Sequence, residues 1–151
     1  MSIEENKAIM QRYIDELMNK RDYSKADEIL HPDYTGSASG GIKGVEGHKQ
    51  YTAYVHSAFS DLHFGTVDMA AEEDKIMIIN EISGLHDKEY NGVPATNKKF
   101  SYKNANVYEF KDGKVVRGTP GIVADMLGVY QQIGVLPSTE DIIKNYNDSL
   151  K

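Results

Sequence analysis

The apolar positions of this chain change period part-way along. Ile9, Met10, Tyr13, Ile14, Leu17 and Met18 recur at helical spacing. Ser2 and Glu5 ahead of them make a Ser-x-x-Glu capping box. The spacing predicts an amphipathic helix ending near Asn19 or Lys20. A shorter helix around 24–30 stops before Pro32. Residues 33–44 (DYTGSASGGIKG) read as a loop with a short strand around Tyr34. A third helix is predicted over 45–59, with Tyr51, Tyr54, Val55, Ala58 and Phe59 on its buried side. It also carries His48 and His56, and a partly exposed position is expected for each.

Beyond that helix the period falls to two. Residues 62–70 read as a strand, Glu72-Glu73-Asp74 as a charged turn, and 75–86 as the clearest strand. In that strand Ile76, Met77, Ile78 and Ile79 are apolar on both faces, which calls for a covering layer on each side. Helices supply one layer, and a second copy in a homodimer is expected to supply the other. Residues 87–97 form a loop. Phe100, Tyr102, Asn104, Asn106 and Tyr108 then alternate along a strand. Lys111-Asp112-Gly113-Lys114 is a hairpin turn, and the returning strand runs to Asp125. A short helix with Met126, Leu127 and Tyr130 on one side follows. Ser138 then caps a last helix bearing Ile142, Ile143 and Tyr146.

Helices first and antiparallel strands later predict an α+β fold. The expected form is a curved antiparallel sheet whose concave side is closed by the N-terminal helices, a cystatin-like α+β barrel. Such a cone encloses a pocket for a hydrophobic small molecule. The 151 residues suit one domain over 1–151. The net charge of −6, with no Lys/Arg cluster, speaks against nucleic acid as a partner. No apolar run approaches the ~20 residues of a membrane span, and the charged start is not a signal peptide. The chain contains no cysteine, which suits the cytoplasm and removes thiolate chemistry and cysteine metal sites. Glu28 and His31 form a lone Glu-x-x-His spacing, too little to predict a metal. The glycines match no phosphate-binding loop, and Ser37 and Ser39 lie in no G-x-S-x-G elbow.

Four pieces of the sequence carry a resemblance. They are Ala58-Phe59-Ser60-Asp61, Ser83-Gly84-Leu85-His86, Phe110-Lys111-Asp112-Gly113-Lys114-Val115, and Asp125-Met126-Leu127-Gly128-Val129-Tyr130-Gln131-Gln132-Ile133-Gly134. Together they resemble the SnoaL-like polyketide cyclase branch of the nuclear-transport-factor-two-like superfamily, over nearly the whole chain up to Pro137. The last piece is the most distinctive. The resemblance implies a cofactor-independent acid/base enzyme without a metal. It would act on a hydrophobic carbonyl compound, closing a ring by an aldol step or isomerising a ketosteroid. The family's catalytic aspartate matches Asp125 by motif, and His86 ends a strand as a histidine often does in the family. The chemistry needs a carboxyl group in an apolar pocket to move a proton, and donors to hold the carbonyl oxygen. Tyr102, Asn104, Asn106 and Tyr108 are the candidate donors on one strand face. Tyr54, His56 and Phe59 of the third helix complete the expected substrate-binding set.

Three departures from the family stand beside this, and the first is the loop after Asp33, which reads Tyr34-Thr35-Gly36-Ser37 without the histidine often found there. Where the family commonly has an acidic residue and a Trp, this chain reads Val116-Arg117-Gly118-Thr119-Pro120-Gly121, and it has no Trp at all. The segment also aligns as about two residues longer, which predicts a bulge. Asp125 has a purely structural role open to it as well, the N-cap of the helix that follows. A carboxyl facing a closed pocket would favour the enzyme. A carboxyl turned to backbone amides would favour a non-catalytic small-molecule-binding module of the same fold.

Overall fold

The structure is a computed structural model that describes residues 2–36 and 41–150, with the backbone alone for 120–123. Ser37 and Ser39 lie outside the described residues. Helix α1 (Ile3–Arg12) opens on the predicted box: Ser2 N–H donates to Glu5 Oε2 at 2.7 Å and Glu5 N–H to Ser2 Oγ at 3.2 Å. It continues as a wider π-helical segment, Tyr13–Asn19, and the stripe Met10, Tyr13, Ile14 and Leu17 is buried. A 3-10 turn (Tyr23–Lys25) leads into the short α2 (Ala26–Ile29).

The segment after α2 contains the strand expected around Tyr34, longer than expected and starting before the predicted loop. Strand β1 spans Leu30–Gly36 and includes Pro32, and a two-residue β2 (Ile42–Lys43) pairs with its end. Pro32 turns the preceding residue away from helix and offers no N–H to a neighbouring strand. The pairing of β1 is accordingly irregular between Leu30 and Thr35. Helix α3 (Gly44–Ala58) then crosses the sheet, and β3 (His63–Glu72), β4 (Lys75–Leu85), β5 (Lys99–Lys111) and β6 (Lys114–Ala124) follow. The β5–β6 turn has φ +50° at Asp112 and +77° at Gly113, the pair of left-handed residues that an Asp-Gly hairpin supplies.

The six strands lie in the order β2-β1-β6-β5-β4-β3, in a curved, unclosed sheet with helices on its concave side. Every pairing is antiparallel except β1–β6, which is parallel. The longer segment in β6 appears as a break in register, because Val107 pairs with Thr119 while Ala105 pairs with Val123. Two steps along β5 thus answer four along β6.

The inner face of the sheet holds two apolar clusters. One gathers Met10, Tyr13, Ile14, Leu17, Ile76, Ile78, Tyr108 and Phe110. The other gathers Ala58, Phe59, Leu62, Ile82, Phe100, Val129 and Ile133. The latter includes the inner side of α4 (Met126–Gln132), where Val129 is buried and Leu127 is 56% exposed. Helix α5 (Thr139–Ser149) is capped by Ser138 as predicted, yet it buries none of its residues. No helix among the described residues is long and apolar enough to cross a membrane.

Candidate functional site

Between the helices and the sheet lies a cavity of about 340 Å³. Its wall is mostly aromatic and aliphatic, interrupted by Tyr, Asn, His and Thr, and none of its described lining residues is Asp, Glu, Lys or Arg. Strand alternation places Asn80 and Ile82 of β4, and Phe100, Tyr102, Asn104, Asn106 and Tyr108 of β5, on the inner face. Helix α3 contributes His48, Tyr51, Thr52 and Val55, one stripe of a helical surface, and Phe59 follows at its C-terminal cap.

At one end Tyr13 O–H and His48 Nε2 are 2.8 Å apart, and Tyr34 and Tyr108 pack against the same pair. Burial pushes His48 down to about 4, with His56 adding a smaller effect of the same sign. Its ring is therefore neutral near pH 7. Burial also pushes Tyr102 and Tyr108 up to about 12 and raises Tyr13 and Tyr34, so these hydroxyls stay protonated. At the other end His86 lies in the wall. Its Nδ1 is 3.1 Å from Thr96 Oγ1, and its ring is tilted against Phe59 at 5.7 Å.

Residues 8–133 match the family model described as SnoaL-like polyketide cyclase. The chain belongs to that family. Solved structures share its fold. One is TsrD from Streptomyces laurentii, at TM-score 0.81 and 24% identity, covering 90% of this chain and 99% of that one. A second, from Jannaschia sp., is provisionally named a SnoaL-like polyketide cyclase, with TM-score 0.80, 20% identity, and coverage of 91% and 97%. A third is AclR from Streptomyces galilaeus, provisionally named a hydroxylase, with TM-score 0.79, 23% identity, and coverage of 99% and 93%. No curated protein matches the chain.

Within this SnoaL-like fold the expected site residues divide. Tyr102, Asn104, Asn106, Tyr108, Phe59 and His86 all line the cavity. Tyr54 does not: it is 47% exposed, and its hydroxyl donates to Asn91 Oδ1 at 3.2 Å. Position 54 falls outside the stripe His48, Thr52, Val55 that turns inward. His56 is buried rather than partly exposed, but it sits off the cavity wall with Nδ1 2.6 Å from Tyr23 O–H. Burial and the nearby Arg21 charge push it down to about 4. His48 is buried too, at 2% exposure, which corrects the expectation for both α3 histidines.

Asp125, the motif aspartate, is exposed and caps α4, accepting Gly128 N–H at Oδ1 (2.7 Å). Its neighbours Ala124 and Met126 line the cavity, while Asp125 itself does not. The apolar enclosure that the chemistry asks of a carboxyl group is not around it. Glu28 is held by Arg12 at 2.8 Å and Lys25 at 2.9 Å, so the Glu-x-x-His spacing serves surface ion pairs.

Sequence reasoning passed over Asn80, His48, Tyr13 and Tyr34 as parts of the wall. For Asn80 a signal was present, a lone polar residue on the same strand face as Ile76, Ile78 and Ile82. For His48 it was the helical spacing to Thr52, Val55 and Phe59. Tyr13 reads as an ordinary core position, and nothing in the sequence sets it apart.

Proposed function

We propose that this SnoaL-like protein binds a neutral, largely apolar ring compound carrying a few oxygen functions, of the polyketide or steroid kind. The observation that carries this is the composition of the wall. Aromatic and aliphatic surface encloses the space, none of its described lining residues is Asp, Glu, Lys or Arg, and His48, Tyr102 and Tyr108 are uncharged donors or acceptors near pH 7. Charged ligands would lose hydration there with no counter-charge to replace it, whereas carbonyl and hydroxyl oxygens find partners. Fluorescence titration with a set of neutral anthraquinones and steroid ketones tests the reading. Micromolar binding of several, blocked by filling the space with Val55→Trp, is expected. Weak binding throughout, or tighter binding of anionic analogues, would overturn it.

A second reading adds turnover: acid/base chemistry on the bound carbonyl compound, as a cyclase or isomerase. Two placements favour it. His86 is a titratable group in the wall, with its ring oriented by Thr96. Asp125 follows and precedes residues of the wall, and its carboxylate can act only by leaving its cap. Asp125→Asn keeps the cap but cannot exchange a proton. On a ketone that the protein turns over, Asp125→Asn abolishes the rate if the aspartate is the acid/base group, and His86→Gln does so if the histidine is. Unchanged rates in both variants would remove both residues as the acid/base group, and no turnover of any ketone that binds would leave binding as the function. The apolar outer face of the sheet supports a homodimer as the form in which the protein works.

A further inference from the structure

The two apolar clusters leave a gap on the inner face of the sheet, and three asparagines fill it. Along β4 the inward residues run Ile76, Ile78, Asn80, Ile82; along β5 they run Phe110, Tyr108, Asn106, Asn104, Tyr102, Phe100. The isoleucines and rings on one side of the gap belong to the first cluster and those on the other side to the second. Asn80 and Asn104 are register partners, and both line the cavity. Asn80 is 1% exposed, Asn106 3% and Asn104 9%.

Asn80 Oδ1 is fully enclosed and meets no donor among the described residues. Leaving such an atom unpaired is costly, and native chains rarely do so without a use for it. Asn104 Oδ1 accepts from Asn106 Nδ2 at 3.4 Å, which leaves the Asn104 NH2 group as a donor. Across the strands the two amides thus offer an acceptor and a donor side by side, without bonding each other. A side chain that only packed the core would be Leu or Ile here, as at positions 78 and 82.

We propose that Asn80 is the specificity residue for a ring-borne hydroxyl, phenolic or enolic, on the ligand. The Asn80 amide turns about its terminal bond, a soft rotation for asparagine, to present Oδ1 to the cavity, where the hydroxyl donates to it and accepts from Asn104 Nδ2, while the ring lies between the two apolar clusters. This rests on the binding reading above and narrows it to hydroxylated rings. A methyl group in place of the hydroxyl leaves both amides unpaired, and sites built to bond a hydroxyl reject such analogues strongly.

The test uses 2-naphthol and 2-methylnaphthalene, which match in size and differ in this one group, against the native protein and Asn80→Leu. The ratio of the two dissociation constants in each protein cancels the probes' own hydration. The native ratio is expected to favour naphthol by tenfold or more over the ratio in Asn80→Leu. The variant should also melt higher than the native protein, because it replaces an unpaired buried amide with an aliphatic chain of similar size. If both proteins bind both probes with the same ratio, Asn80 has no such role, and the binding reading stands without it. If the native protein binds neither probe, the binding reading falls and takes this one with it. A lower melting temperature in Asn80→Leu with an unchanged ratio marks a structural asparagine and overturns the proposal. Should Leu not fit, Asn80→Val, smaller and β-branched, gives the same comparison.

Discussion

The Asp125 carboxylate holds the Gly128 backbone N–H at 2.7 Å, and a Cβ on Gly128 would collide with that same carboxylate. The cap and the missing side chain are therefore one feature. Asp125→Ala should cost about 1 kcal/mol, and Asp125→Asn close to nothing. Gly128→Ala should destabilise the native chain by evicting the carboxylate. In the Asp125→Ala background the same change should stabilise by up to ~1 kcal/mol, since alanine is the better helix former. Urea denaturation of the four proteins measures the cycle. If Gly128→Ala has the same sign in both backgrounds, the two residues are not coupled.

That pairing also marks where the sequence stopped being informative. The capping box at Ser2, the Asp-Gly hairpin, the extra length in β6 and the Ser138 cap were all legible, because each depends on a few neighbouring residues. The parallel β1–β6 pairing was not, since it joins segments about eighty residues apart along the chain by tertiary packing alone. The motif around Asp125 identified the family, but the direction of one carboxylate depends on a rotamer that no motif encodes. On α3 the rule that histidine is partly exposed failed for His48 and His56. Each found a tyrosine hydroxyl as partner, Tyr13 and Tyr23, far away in sequence.

Acid should weaken this fold before its carboxylates protonate. His48 titrates at about 4 in the folded protein because burial disfavours its charged form, against ~6.5 in the unfolded chain. Between those values the unfolded state binds the extra proton, so stability rises with pH through the window and is lost as pH falls from about 6.5 to 4. A shift of this size corresponds to at most about 3 kcal/mol. His56 acts in the same direction. In His48→Gln, whose amide can still meet Tyr13, the plot of stability against pH should be shallower across that window. A slope identical to the native one would remove His48 as the cause.

Helix α5 contributes little to the stability of the fold. Ile142, Ile143 and Tyr146 are 45%, 55% and 63% exposed, and no residue of the helix is buried. An isolated helix of this length is marginal in water. Deleting residues 138–151 should therefore leave the melting temperature within about 2 °C, by the usual relation between free energy and melting point. A fall of ten degrees would mean that the apolar stripe is covered in solution.

The outer face of the sheet makes the strongest demand for a partner. Met77 is 50% exposed and pairs across the strands with Val107, while Ile79 pairs with Ala105. Ala70 extends the patch on β3 beside Met77, and Thr119 extends it on β6 beside Val107. The rim carries both signs, with Lys75 opposite Glu109 and Lys103 opposite Glu81, so two copies of the face do not repel as like charges would. A self-complementary patch of this kind suits a two-fold dimer. Light scattering should give twice the chain mass at micromolar concentration. Val107→Glu places a charge at the centre of the apolar patch without touching the cavity, whose wall is on the opposite face of β5. It should yield monomers that still bind cavity ligands. A native protein that is already monomeric at that concentration would leave the patch as exposed surface and end the case for a dimer. Loss of ligand binding together with the dimer in Val107→Glu would tie cavity shape to assembly, because β5 carries the patch on one side and the asparagines on the other.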